Sequence, residues 1–201
     1  MASRQCEKKA PQLSAAQQAN LDKIVEQAKQ SYVCEDIAKK AHEIIAKNEG
    51  HEKAADQKMV SLLAGTFTNS AKDDLTLLSS KHWAGTIVSD FPKTISLAGL
   101  FSLAGLFSGI KAGAAYVGKN QAGDECVWLV AFADNSALGR VMYAECGPLR
   151  NYTNINWAAI EPKLNDASFI AYASDAETGT SIYGTIVGQD PGTVAAAAFT
   201  G

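Results

Sequence analysis

From Thr94 to Gly118 the chain reads TISLAGLFSLAGLFSGIKAGAAYVG, with no charged side chain between Lys93 and Lys111. SLAGLF occurs twice in tandem, at 96–101 and 102–107. Gly105, Gly109 and Gly113 recur every fourth residue, so on a helix they form one smooth stripe. Leu100, Leu103, Phe107 and Ile110 keep the three-and-four rhythm of a bulky face on the same cylinder. Such a rod has to be hidden from water, either by the protein's own body or by lipid. The uncharged part, Thr94 to Ile110, spans roughly 25 Å as a helix at about 1.5 Å per residue. That is short of the ~30 Å of hydrocarbon in a bilayer. Each interior Gly costs a helix about 1 kcal/mol relative to Ala, so three on one face imply a close neighbour. In lipid the neighbour would be another helix, since small residues four apart let helices approach closely.

The N-terminal half reads as helical. Ser14 and Gln17 have capping-box spacing, and Leu21, Ile24, Val25, Ala28 and Tyr32 then mark one apolar face, with Asp22, Lys23, Glu26 and Lys29 turned to water. A second pattern covers 36–48, through Ile37, Ala41, Ile44 and Ile45. A third covers 51–64, through Ala55, Met59, Leu62 and Leu63, and stops at Gly65. Ser70 with Asp73 resembles another helix start leading into Leu75, Leu77 and Leu78. Trp83–Val88 is β-branched enough for a short strand.

Beyond residue 120 the pattern changes to strand-length runs separated by Asp, Gly and Pro: 126–133, 138–146, 167–174, 181–187 and 193–200. Asn151–Lys163 is polar and aromatic, a long loop or a short helix around Trp157–Ile160. Helices first and strands last predict an α+β protein: a flexible arm over 1–13, a helical region over 14–118 ending in the central Gly/Leu helix at 94–117, and an antiparallel β-rich region over 119–201. GTIV appears at 85–88 and 184–187, which suggests two strand ends with similar turn chemistry, neighbours in one sheet.

The 201 residues carry 18 Lys and Arg against 21 Asp and Glu. With basic residues scattered, nothing predicts nucleic-acid binding. The polar start MASRQCEKKAPQLS lacks the apolar core of a signal peptide, which places the chain in the cytoplasm or on a non-classical export route. Reduced thiols are the default there. Cys126 and Cys146 nevertheless flank a hairpin tip at Asp134–Ala137, opposite or one step off register, so a disulfide between them is one of two readings and a pair of half-buried thiols the other.

Catalytic signatures are weak. GAAYVGKN (113–120) nearly matches a phosphate-binding loop, but Asn120 replaces the hydroxyl residue and a helix C-terminus explains Gly118. His42–Glu43 and His51–Glu52 open like zinc motifs, yet Ala46 and Ala55 stand where the second ligand belongs. No metal, cofactor or nucleophile elbow is read, and the balance leans away from an enzyme. Tyr143, Arg150, Tyr152, Trp157 and Lys163 instead lie near strand ends, where tyrosine and tryptophan join apolar bodies to polar tips, which suits a lipid headgroup, glycan or protein surface. Two functions follow. One is a membrane-active or pore-forming-type protein that docks through these residues, releases 94–117 into lipid and self-associates through the glycine stripe. The other is a soluble binding or assembly protein with 94–117 as its buried core helix.

Overall fold

A computed structural model describes residues 10–32, 39, 43, 61–105, 109–189 and 192–201. It is dominated by strands. Helix α1 (Ala15–Tyr32) precedes β1 (Ser61–Ser70), β2 (Leu75–Ala84), β3 (Thr86–Ser89), β4 (Thr94–Ile95), β5 (Ala98–Gly105) and β6 (Ile110–Lys119). Next come β7 (Glu125–Asn135), β8 (Gly139–Pro148), a 3-10 turn (Leu149–Asn151), helix α2 (Trp157–Asn165), β9 (Ile170–Asp175), β10 (Thr180–Gln189) and β11 (Gly192–Thr200). The strands form two sheets, β3-β5-β1-β11-β10-β9 and β4-β2-β6-β7-β8. All pairs are antiparallel except β1 with β11, which run parallel at the centre of the first sheet. The α+β expectation is therefore wrong: this is a β-rich sandwich with a helix packed on each outer face.

The central helix does not exist. Its sequence forms β4, β5 and β6, and the chain crosses from the first sheet to the second between β5 and β6. The glycine stripe dissolves into separate local demands. At the crossing, a Cβ on Gly105 would meet the Gly109 carbonyl oxygen at 2.4 Å, and Gly109 itself has φ +70°. Sandwich corners need such sharp bends, and only glycine makes them without strain. Gly113 lies mid-strand beneath the Trp157 ring, 2.8 Å from where its Cβ would stand. The face expected of Leu100, Leu103, Phe107 and Ile110 is likewise divided: Leu103 and Ile110 are buried in the core, whereas Leu100 is 54% exposed. Phe107 lies outside the described residues.

The expected helix over 51–64 is corrected where it is described, since Leu62 and Leu63 belong to β1. Leu63 and Phe67 point into the sandwich. The helix start at Ser70 is a turn instead, organised by Asn69. Its side-chain nitrogen donates to the carbonyls of Asp73, Ile95 and Ser96 at 2.9, 3.1 and 3.1 Å, and its oxygen accepts from Ala71 N at 2.8 Å. Asn competes for backbone partners in this way wherever a helix or ladder is interrupted. The pattern at 36–48 falls almost wholly outside the described residues.

Other expectations hold. Ser14 and Gln17 exchange the two capping-box bonds, 2.9 and 3.3 Å. Leu21, Ile24, Val25 and Ala28 are buried against β10 and β11, over Tyr183, Val194, Ala196 and Ala198. The alanines of β11 are fully buried on both sides, two facing α1 and two facing the core. Strands covered on both faces show continuous apolar runs, and alanine keeps the floor flat enough for a helix to lie close. All five C-terminal strands fall where the turn residues predict. The two GTIV segments share one sheet, around β3 and within β10, but they are not neighbours: β5, β1 and β11 lie between them.

Between the sheets lies an aromatic core of Phe67, Phe91, Phe101, Tyr116, Trp128, Phe132 and Phe199. Its polar tips are satisfied: Trp128 Nε1 donates to Thr200 O at 3.0 Å and Tyr116 Oη to Pro92 O at 2.9 Å. His82 stacks on Phe91 at 5.4 Å, its pKa lowered by burial. Its Nε2 is buried without a hydrogen-bond partner among the described residues. Cys126 and Cys146 are free thiols facing this core. Cys126 pairs with Pro148 and Cys146 with Trp128, a stagger of two positions.

A candidate cleft between the sheet edges

The residues nominated for surface binding all belong to one continuous stretch, from β8 through the 3-10 turn into α2. Asn156 caps α2 by accepting from Ala159 N at 3.2 Å, and Ile160 and Leu164 face the second sheet. The floor beneath combines Gly113, Ala115, Ala131 and Ala133, which leave room for the Trp157 ring, with Val127, Leu129 and Val141. Trp157 rests on it with Nε1 donating to Ser79 Oγ at 3.0 Å and its ring edge-on to Trp83 at 5.7 Å. Lys111, 8% exposed, reaches from β6 to Glu161 Oε1 at 2.7 Å and Asn165 Oδ1 at 2.8 Å, and lies 5.7 Å from the Trp83 ring centre. A buried ammonium needs such partners; here they fix the helix to the sheet.

Where α2 ends, the second sheet's edge β8 approaches the first sheet's edge β9. The contact is a single bridge, Met142 N to Ser168 O at 2.7 Å. Beside it opens a cleft of about 380 Å³, bounded by Tyr143, Lys163, Asp166, Ile170 and Tyr172 among others. Lys163 Nζ is 5.6 Å from the Tyr143 ring centre and 2.5 Å from Glu145 Oε1, which also accepts from the Tyr143 hydroxyl. Burial and that carboxylate push the Tyr143 pKa well above the usual phenol value. Tyr172, which lines the cleft, is 41% exposed, and Phe169, next in sequence to the lining residues Ser168 and Ile170, is 50% exposed. The cleft thus offers one cation paired with Glu145, the carboxylate of Asp166, two tyrosine rings and, on each wall, a strand edge outside any ladder among the described residues.

Of the nominated residues, Tyr143 and Lys163 line this cleft. Trp157 serves the helix–sheet contact on the far side of α2, and Tyr152 is half-buried against the second sheet's outer cluster. Arg150 lines a separate groove at the end of the sandwich. Sequence reasoning passed over Tyr172 and Asp166. Their signal was faint: an aromatic in an alternating strand and an acid just after a helix. Among the described residues no group of His, Cys, Asp or Glu is placed to hold a metal ion. No described helix is long and apolar enough to cross a membrane.

No family model matches the chain. A jasmonate-induced protein homolog from Atriplex canescens is 23% identical over 125 residues, 58% of this chain and 68% of that protein. Among solved structures, the lipid binding protein Nakanori superposes with a TM-score of 0.54 at 11% identity, covering 98% of this chain and 92% of its own. The Xerocomus chrysenteron lectin XCL gives 0.45 at 13% identity, over 71% of this chain and all of its own. At such identities the likeness to Nakanori establishes the fold alone.

Proposed function

We propose that the protein binds lipid surfaces peripherally, seating a polar headgroup in the cleft between β8, β9 and α2. The carrying observation is the cleft itself, where Lys163 stands beside Tyr143 and the part-exposed Tyr172. Its volume lies within the usual range of small-ligand sites. An ammonium can hold phosphate oxygens, and tyrosine rings suit both a cationic headgroup and the interfacial zone of a bilayer. That a lipid-binding protein shares the fold over nearly its whole length supports this reading. It involves no insertion of 94–117, because β5 and β6 carry part of the sandwich core.

Co-sedimentation with phosphatidylcholine vesicles tests the proposal. The wild type should pellet with vesicles, and Lys163→Ala combined with Tyr172→Ala should weaken binding by about tenfold or more, the loss of one charge-assisted contact and one ring. Stability should fall by no more than about 1 kcal/mol, since the Lys163 side chain is half-exposed and Glu145 keeps the Tyr143 hydroxyl as a partner. If the double variant binds as well as the wild type, the cleft is not the site. A glycan array run in parallel shows whether free sugars satisfy it instead.

Self-association forms part of the same reading. Leu97, 81% exposed at the β4–β5 bend, and Leu100, 54% exposed within β5, lie on the side of the sandwich away from the cleft. A second copy docking there would cover both leucines, each worth up to about 1.5–3 kcal/mol when fully buried, and leave the cleft open. Sedimentation velocity should show a concentration-dependent dimer that Leu97→Lys abolishes. A wild type that stays monomeric at every concentration refutes it.

A further inference from the structure

We propose that the groove at the end of the sandwich is a second ligand site, for an uncharged sugar; with the cleft reading, on which this rests, the sugar is the headgroup of a neutral glycolipid. The groove encloses about 500 Å³ between the β6–β7 turn, the 3-10 turn and the β9–β10 turn. Three lining carboxylates, Asp124, Glu125 and Glu177, face one guanidinium, Arg150. That balance repels phosphate, sulfate and carboxylate groups. It suits a polyol, whose hydroxyls can donate to carboxylates and accept from a guanidinium. Leu149 adds an apolar patch for the C–H face of a ring.

The walls are held in place before any ligand arrives. Asn120, 2% exposed, ties two of the turns together: its side chain donates to Thr178 O at 2.8 Å and accepts from Asp124 N at 2.8 Å. Thr178 is fixed in turn by Asp175, whose Oδ1 accepts from Thr178 N at 2.8 Å. Preorganised walls spare a ligand the cost of ordering them. The Arg150–Glu177 ion pair joins the 3-10 turn to the β9–β10 turn, and its side chains are 64% and 59% exposed. Pairs so exposed contribute little to stability, so a sugar hydroxyl can take the place of either partner at small cost. Along β8, Tyr143 in the cleft and Pro148 at the groove are about 16 Å apart at roughly 3.3 Å per residue. One membrane patch can therefore reach both.

The test compares phosphatidylcholine vesicles with the same vesicles carrying a few per cent of a neutral, hexose-headed lipid. The wild type should bind the second kind about tenfold more tightly. Glu125→Gln with Glu177→Gln should erase that increment and leave plain-vesicle affinity unchanged; Arg150→Ala, at an exposed position, should act the same way. Lys163→Ala should weaken both vesicle types by the same factor. Equal binding of the two vesicles, or an increment that survives the groove variants, overturns the second site and leaves the cleft standing. Binding only to hexose-bearing vesicles, with Lys163→Ala neutral, instead overturns the cleft and leaves the groove. In calorimetry free neutral oligosaccharides should give heat with the wild type and none with the groove variants; no heat from any of them overturns the sugar assignment.

Discussion

Gly109→Ala should destabilise the protein by about 3 kcal/mol or more, lowering its melting temperature by roughly 6–12 °C at about 2–4 °C per kcal/mol for a chain of this size. Two costs combine. With φ at +70°, an L side chain is strained by about 1–2 kcal/mol. The new methyl would also stand 2.4 Å from Asp134 O, 2.5 Å from Asn135 Cβ and 2.8 Å from Asn135 Cα. Those atoms cannot withdraw, because Ile110 and Asp134 are register partners in the β6–β7 ladder, and overpacking of that kind costs about 1–3 kcal/mol. Gly139 separates the two terms. It has the same φ, +70°, with nothing within 4 Å of its absent Cβ, so Gly139→Ala should cost only the backbone strain. Should thermal melts show equal losses for the two variants, the corner between the sheets is softer than its geometry implies.

The same corner shows why half the fold was hard to read. Helix α1 was legible because its signals are local: a cap at Ser14 and an apolar stripe at helical period, both intact in the structure. Strands β7 to β11 were legible because apolar runs alternate with turn residues. Residues 94–118 carry neither kind of signal cleanly. Leu100, Leu103, Phe107 and Ile110 fit a helix, yet Gly99, Phe101, Leu103 and Gly105 fit a strand equally well. Glycine and alanine weaken both periods, and short apolar runs cannot be assigned by period alone. What decides is contact with partners remote in sequence: β5 against β1, β6 against β2 and β7. The candidate cleft has the same character. Tyr143 could be nominated from its own strand, but Lys163 and Tyr172 join it only because α2 folds back and β9 closes on β8.

Gly65→Ala tests that long-range decision most directly. Had 51–64 been a helix stopped by Gly65 as a left-handed cap, alanine there would cost only about 1 kcal/mol of backbone strain. In the sandwich Gly65 is the cross-strand partner of Phe101, and the ring lies end-on against it. A Cβ at Gly65 would fall 1.9 Å from Phe101 Cζ and 2.3 and 2.4 Å from its Cε atoms. The ring has nowhere to swing. Its centroid is 4.6 Å from Phe67, 4.8 Å from Phe91 and 5.5 Å from Phe132. The substitution should cost about 3 kcal/mol, at the top of the overpacking range. Phe101→Leu alone should also destabilise, through the cavity left among the rings. The double variant is the decisive sample. A leucine is too short to reach the new methyl, so the two losses should fall short of additivity by about 1–3 kcal/mol, the coupling usual for residues in contact. Strict additivity in urea titrations would mean that the ring does not rest on Gly65, and the β1–β5 register would have to be redrawn.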